Sequence, residues 1–146
     1  MGGVRSCWAL LLLAGPLAAS EVAPFTVTGD AIEAPLMDLV GDAVRGQAVV
    51  RNREGANCLI CHSIPGTNER FMGDVGPALA GVADRLSQGQ MRLRLVDATL
   101  LNPGAVMPAY HRTAGLVRVD ARFAGRPVLG AQEIEDVLAY LATLKE

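Results

Sequence analysis

Two cysteines with a histidine directly after the second, in the run Cys58-Leu59-Ile60-Cys61-His62, constrain this chain more than any other feature. What they can do depends on the compartment, and the N-terminus sets an expectation for that. Residues 1–20 hold Arg5, an apolar run from Trp8 to Leu13, a Gly15-Pro16 break and the small residues Ala18, Ala19 and Ser20. The pattern reads as a secretory signal peptide. An uncleaved anchor is the alternative, but a span needs about 20 consecutive apolar residues, and Arg5, Gly15, Pro16 and Glu21 interrupt the run. Cleavage after Ser20, or after Ala19, removes Cys7 and leaves Cys58 and Cys61 as the only thiols, exposed to an oxidising periplasm.

Three uses compete for such a pair. A structural zinc site wants four tetrahedral ligands, and the mature chain offers only Cys58, Cys61, His62 and His111, with no second ligand pair. A thioredoxin-like dithiol needs a helix after the pair, and Ile64-Pro65-Gly66 breaks one at once. Covalent haem attachment fits: the two thiols add to the porphyrin vinyl groups, the two residues between them provide the span, and His62 lies under the iron as an axial ligand.

Composition supports a buried cofactor. The chain has 146 residues, enough for one domain, and is 51% hydrophobic, yet only 4% is aromatic. A core of Val, Leu and Ala lacks the large flat groups that usually fill a domain centre, and a porphyrin would supply one. Thirteen Lys and Arg against 15 Asp and Glu, scattered along the chain, leave no basic footprint for nucleic acid. Lys145 is the sole lysine, so docking through a ring of surface lysines is not expected.

The second axial ligand must come from a short set. Met37 closely precedes the motif, Met72 follows His62 too soon to wrap a ring, and Met91 lies on a helix face with Leu93, Leu95 and Val96. Met107 sits in Asn102-Pro103-Gly104-Ala105-Val106-Met107-Pro108, a loop that prolines stiffen on both sides. It is the expected ligand. His111 is the competitor, with a surface or partner-facing role as its other reading.

Around this site the sequence predicts helices. Asp42 caps a first helix over residues 43–50, in which Gly46, costing about 1 kcal/mol against Ala, marks close approach by another element or a tolerated accident. Ser87 and Gln90 have capping-box spacing for a second helix, which Asn102-Pro103-Gly104 stops. Over residues 131–145, Ile134, Val137, Leu138, Leu141 and Leu144 form a core stripe, with Glu133, Glu135 and Asp136 favourably near the positive end of the helix. Between Met107 and that helix a small hairpin and an irregular loop fit equally well. Residues 21–35 read as an N-terminal arm, and residues 36–146 as the domain.

In the order helix, Cys-x-x-Cys-His, Gly-Pro-x-Leu, Met-Pro, final helix, residues 36–146 resemble the class I c-type cytochromes. That resemblance implies an all-α fold wrapped around one covalent haem c. It implies a cofactor-binding set of Cys58, Cys61, His62, Pro77, Leu79 and Met107, with iron ligands His62 and Met107. Within Gly76-Pro77-Ala78-Leu79 the Pro77 carbonyl would take the His62 ring N–H and orient it, and Gly46 would pack against Tyr140.

More narrowly the chain is similar to the SoxX family, monohaem subunits of the SoxAX complex of bacterial thiosulfate oxidation. The similarity rests on Gly55-Ala56-Asn57-Cys58-Leu59-Ile60-Cys61-His62, Gly73-Asp74-Val75-Gly76-Pro77, Gly81-Val82-Ala83-Asp84-Arg85-Leu86-Ser87, Met91-Arg92-Leu93-Arg94-Leu95-Val96-Asp97 and Met107-Pro108-Ala109-Tyr110. His111 after the tyrosine and Gly130 in place of a hydroxyl cap depart from it. The implied role is electron acceptor in an L-cysteine S-thiosulfotransferase, beside a SoxA-like haem subunit, a SoxYZ-like cysteine carrier and a soluble cytochrome that takes the electrons. No residue reads as a catalytic acid, base or nucleophile. A free-standing periplasmic electron shuttle is the alternative, while a ligand-binding haem enzyme would need the sixth site that Met107 fills.

Overall fold

A computed structural model describes residues 22–66 and 68–146; the leader and Cys7 lie outside the described residues. The described chain is helical, without strands, its one β-bridge joining Thr28 and Ala31. Among the described residues there are four α-helices, α1 (Ala43–Arg51), α2 (Val82–Arg85), α3 (Gln88–Asp97) and α4 (Ala131–Leu141), with 3-10 turns at Leu36–Asp38, Cys58–Ile60, Ala98–Leu100 and Ala121–Phe123.

Local chemistry starts the helices where the sequence places them. The Asp42 carboxylate accepts the Arg45 N–H at 2.8 Å at the head of α1. A complete capping box opens α3: Ser87 Oγ accepts from the Gln90 N–H at 3.1 Å and Gln90 Oε1 accepts from the Ser87 N–H at 2.9 Å. At α4 only half of that device is possible, because Gly130 has no side chain, and Glu133 Oε2 takes the Gly130 N–H at 2.9 Å.

The ending of α4 differs from the sequence expectation: it stops at Leu141, before residue 145. Thr143 Oγ1 donates to the Tyr140 carbonyl at 2.7 Å, and the following residues turn onto α2, where the Leu144 carbonyl accepts from Ala83 N–H and Asp84 accepts from the Glu146 N–H at 2.8 Å. Leu144 still reaches the core.

The crossing of α1 and α4 anchors the fold. Gly46 lies so close to the Asp136 carbonyl and the Val137 nitrogen that a methyl group there would overlap them. The close approach is therefore real, and it falls on backbone one turn before Tyr140. Gly41 meets the Glu135 carbonyl in the same way. Behind this crossing the α4 stripe Ile134, Val137, Leu138 and Leu141 joins Leu93, Leu95 and Val96 of α3 and Val50 of α1 in one buried cluster.

Two acidic residues of α4 serve the core more than the helix end. Glu135 is buried and receives Arg92 Nε and Nη2 at 2.8 Å each, and the Leu36 N–H at 2.9 Å. Arg92 Nη1 donates to the Ile32 carbonyl at 2.7 Å. Asp136 accepts from Arg45 Nε and Nη2, the Asp42 N–H and the Gln132 amide. Burial pushes its carboxyl up, but these donors outweigh it and hold Asp136 below the usual carboxylate range.

The segment ahead of Leu36 is pinned along α3. Ile32 N–H donates to the Gly89 carbonyl at 3.0 Å, Gln90 Nε2 donates to Asp30 at 2.8 Å, and Ala23, Ala31 and Ile32 are buried. Of the two forms open for the stretch before α4, the irregular loop is the one present. Val117 and Val119 face solvent without a partner strand, Arg118 is left-handed at φ 56°, and the Arg122 and Arg126 guanidinium groups sit over the Phe123 ring.

Candidate cofactor site

The Cys58–Ile60 turn follows Asn57, whose left-handed backbone (φ 49°) swings the chain out of α1. The Cys61 and His62 N–H groups converge on the Cys58 carbonyl at 3.2 and 3.0 Å, which fixes both cysteines and the histidine on one tight turn. Leu59 is buried in the core as the peg of this turn.

A second strip of chain locks the histidine. Gly73 N–H bonds the Leu59 carbonyl at 2.8 Å, Gly76 N–H the Cys61 carbonyl at 2.8 Å, and Leu79 N–H the Ser63 carbonyl at 2.9 Å. This register places the Pro77 carbonyl 2.7 Å from His62 Nδ1, so Nδ1 carries the proton and Nε2 keeps its lone pair free. The two glycines make the approach feasible: a Cβ at Gly73 would overlap the Ile60 carbonyl, and one at Gly76 would enter the His62 ring. Arg85 holds the far end of the strip, donating to the Ala80 and Ala78 carbonyls at 2.6 and 2.9 Å.

His62 opens into a cavity of about 410 Å³ whose walls include Cys61, Pro77, Leu79, Leu95 and Met107. Five of the six sequence-predicted cofactor residues thus line one space; Cys58 is buried in the adjoining core. Burial pushes the Cys58 thiol up to about 11. Tyr110 also lies on the cavity wall, and burial raises its hydroxyl above the ordinary range. That hydroxyl has no protein hydrogen-bond partner among the described residues.

The other ligand candidates separate. His111 is fully buried away from the cavity, its Nε2 accepting from the Ala23 N–H and its Nδ1 donating to the Leu129 carbonyl, each at 2.8 Å. Both nitrogens are occupied, so it is a structural clasp. Met72 Sδ accepts from the Ile64 N–H at 3.3 Å, Met37 is exposed, and Met91 lines the cavity from the buried face of α3. Arg85, Tyr110, Gly73 and Gly76 stand in the segments that carry the family resemblance, but the sequence alone assigns none of them a role; the structure does.

These features fit haem c: two thiols on one turn, an imidazole with a free Nε2, a thioether in a stiff loop, and largely apolar walls around a volume within the ~300–1,000 Å³ of small-molecule sites. Among the described residues no cluster of three or more His, Cys, Asp or Glu could hold a separate metal ion.

Residues 43–145 match the Cytochrome c family, and the chain belongs to it. With its all-α fold it is a class I cytochrome c, an electron-transfer domain carrying covalently bound haem c. Its fold is similar to the crystal structure of SoxXA from P. pantotrophus, with a TM-score of 0.78 and 32% identity over 88% of this chain and 100% of that one. Comparison with curated proteins gives no match. No helix among the described residues is long and apolar enough to cross a membrane.

Proposed function

We propose that this chain is the monohaem electron-acceptor subunit of a SoxAX-type thiosulfate-oxidising complex, exported to the periplasm by the signal peptide at residues 1–20. The observation that carries this is 32% identity over the whole matched SoxXA chain, together with a His62–Met107 cavity of the required chemistry.

When bound, haem supplies a one-electron couple between ferric and ferrous iron. Cys58 and Cys61 tether it through thioether bonds. His62 would offer Nε2 to the iron, and the Pro77 carbonyl, accepting the Nδ1–H hydrogen bond at 2.7 Å, fixes the tautomer and raises the basicity of Nε2. Met107, on the wall of the same cavity, would offer its thioether to the iron, which would favour the reduced state and suit an acceptor. Leu79 and its apolar neighbours exclude water. Catalysis belongs to a SoxA-like haem subunit, which joins thiosulfate to a cysteine thiol of a SoxYZ-like carrier. Each sulfur–sulfur bond formed there releases two electrons and the thiol proton, and the electrons leave through this chain, singly, to a soluble cytochrome.

Co-purification of the tagged mature protein from its native periplasm tests the reading. A stoichiometric haem-bearing partner that binds thiosulfate is expected; a lone monohaem monomer would contradict the complex and leave a free-standing shuttle.

A further inference from the structure

Met107 rides on a loop that is held chiefly at its neck. Where the chain leaves α3, the Leu101 and Asn102 N–H groups bond the Ala98 carbonyl at 3.1 Å each; where it returns, the Tyr110 and His111 N–H groups bond the Leu95 and Val96 carbonyls at 3.3 and 3.1 Å. Among the described residues the hydrogen bonds of positions 103–109 are internal to the loop, from the Gly104 and Ala105 N–H groups to Asn102. The prolines at 103 and 108 stiffen this segment but hold it to nothing.

A side-chain clasp closes that neck. Asp97, the last residue of α3, has 5% of its side chain exposed and accepts from Arg112 Nη1 at 2.8 Å, Thr99 Oγ1 at 2.5 Å and the Thr99 N–H at 3.0 Å. Arg112 Nη1 also donates to Thr99 Oγ1 at 3.1 Å, so the chain entering the loop is bonded to the chain leaving it. Capping the 3-10 turn at Ala98–Leu100 needs only the Oδ1 atom of Asp97; Oδ2 is left for a cation that arrives from beyond Met107. We propose that Asp97 and Arg112, joined through Thr99, are positioning residues that hold the Met107 loop closed over the cavity, so that their loss lets the thioether leave the iron more often. This rests on the reading of Met107 as an iron ligand and is independent of the thiosulfate reading. A charge-assisted bond is roughly twice as strong as a neutral one, so without the clasp the neck keeps only backbone bonds and the loop opens locally at lower cost.

The test is stopped-flow binding of cyanide to the ferric mature holoprotein, with haem content and far-ultraviolet circular dichroism as folding controls. A methionine ligand must leave before cyanide enters, so at high cyanide the rate levels off at the rate of loop opening. Arg112→Gln, at a position 36% exposed, is expected to raise that ceiling about tenfold or more, and Asp97→Asn to do the same. Arg112→Lys, which keeps a cation for Asp97, should raise it less. Asp136→Asn breaks the Arg45 pair at the α1–α4 crossing and controls for general loosening; it should keep the wild-type ceiling. If Asp97→Asn fails to assemble, Arg112→Gln decides. A wild-type ceiling in assembled Arg112→Gln overturns the clasp, and so does an equal rise in Asp136→Asn. Met107→Ala should show no ceiling at all; if it keeps the wild-type one, the ligand reading fails and this inference fails with it.

Discussion

Arg92 and Glu135 are joined by two 2.8 Å hydrogen bonds inside the core, with 2% and 5% of their side chains exposed. Their remaining capacity goes to the backbone of Ile32 and Leu36, so one ion pair ties α3, α4 and the N-terminal segment together. Removing one partner leaves a buried charge uncompensated. Arg92→Leu should cost about 3–5 kcal/mol of unfolding free energy, measured by urea denaturation. The double variant with Glu135→Leu should be more stable than the sum of the two single losses predicts.

Gly76 should prove less replaceable than Pro77. A Cβ at Gly76 enters the His62 ring, whereas Pro77 contributes its carbonyl, which any residue has. Gly76→Ala should cost about 1–3 kcal/mol, as overpacked sites do, and should displace the proposed iron ligand enough to add a high-spin signal in electron paramagnetic resonance. Pro77→Ala should leave the low-spin spectrum in place.

His111 is expected to matter for stability and not for colour. In His111→Phe the Ala23 N–H and the Leu129 carbonyl both lose their buried partner, and an unsatisfied buried group costs about 1–3 kcal/mol. Thermal unfolding should shift down while the absorption spectrum and potential stay at wild-type values.

The Asp136 carboxyl, held below its ordinary range by its donors, gives stability a sign in acid. A group depressed on folding stabilises fully above its unfolded pKa, about 3.9 for Asp, and that contribution is lost as pH falls through the folded value. Asp136→Asn should therefore flatten stability against pH below about pH 4, and should leave the slope near neutrality unchanged.

Much of this was legible because it is local. Asp42 and the Ser87–Gln90 pair announce two helix starts within a single turn of sequence, the α4 stripe declares its buried face, and the Cys-x-x-Cys-His run places three of the site residues in five positions. What was not legible is long-range. Glu135 and Asp136 read as favourable charges near a helix start, and only the fold brings Arg92 and Arg45 to them from α3 and α1. The segment before Leu36 has little periodicity, and much of its pinning uses backbone groups of Ile32 and Ala23, which carry no side-chain signal. The same distance hid His111, whose partners lie 88 and 18 residues away. The early end of α4 depends on Thr143 capturing a carbonyl that a propensity reading leaves in the helix.

Met107, which lines the same cavity as His62, is the residue we propose as the second iron ligand. Near-infrared absorption of the ferric protein tests it most directly, because a thioether on ferric haem produces a sulfur-to-iron charge-transfer band that nitrogen or water ligation does not. The band is expected in wild type and is expected to disappear in Met107→Ala, with a fall in potential and binding of carbon monoxide by the reduced form. An unchanged band and potential in Met107→Ala would contradict it and move the ligand to another residue, Met91 first.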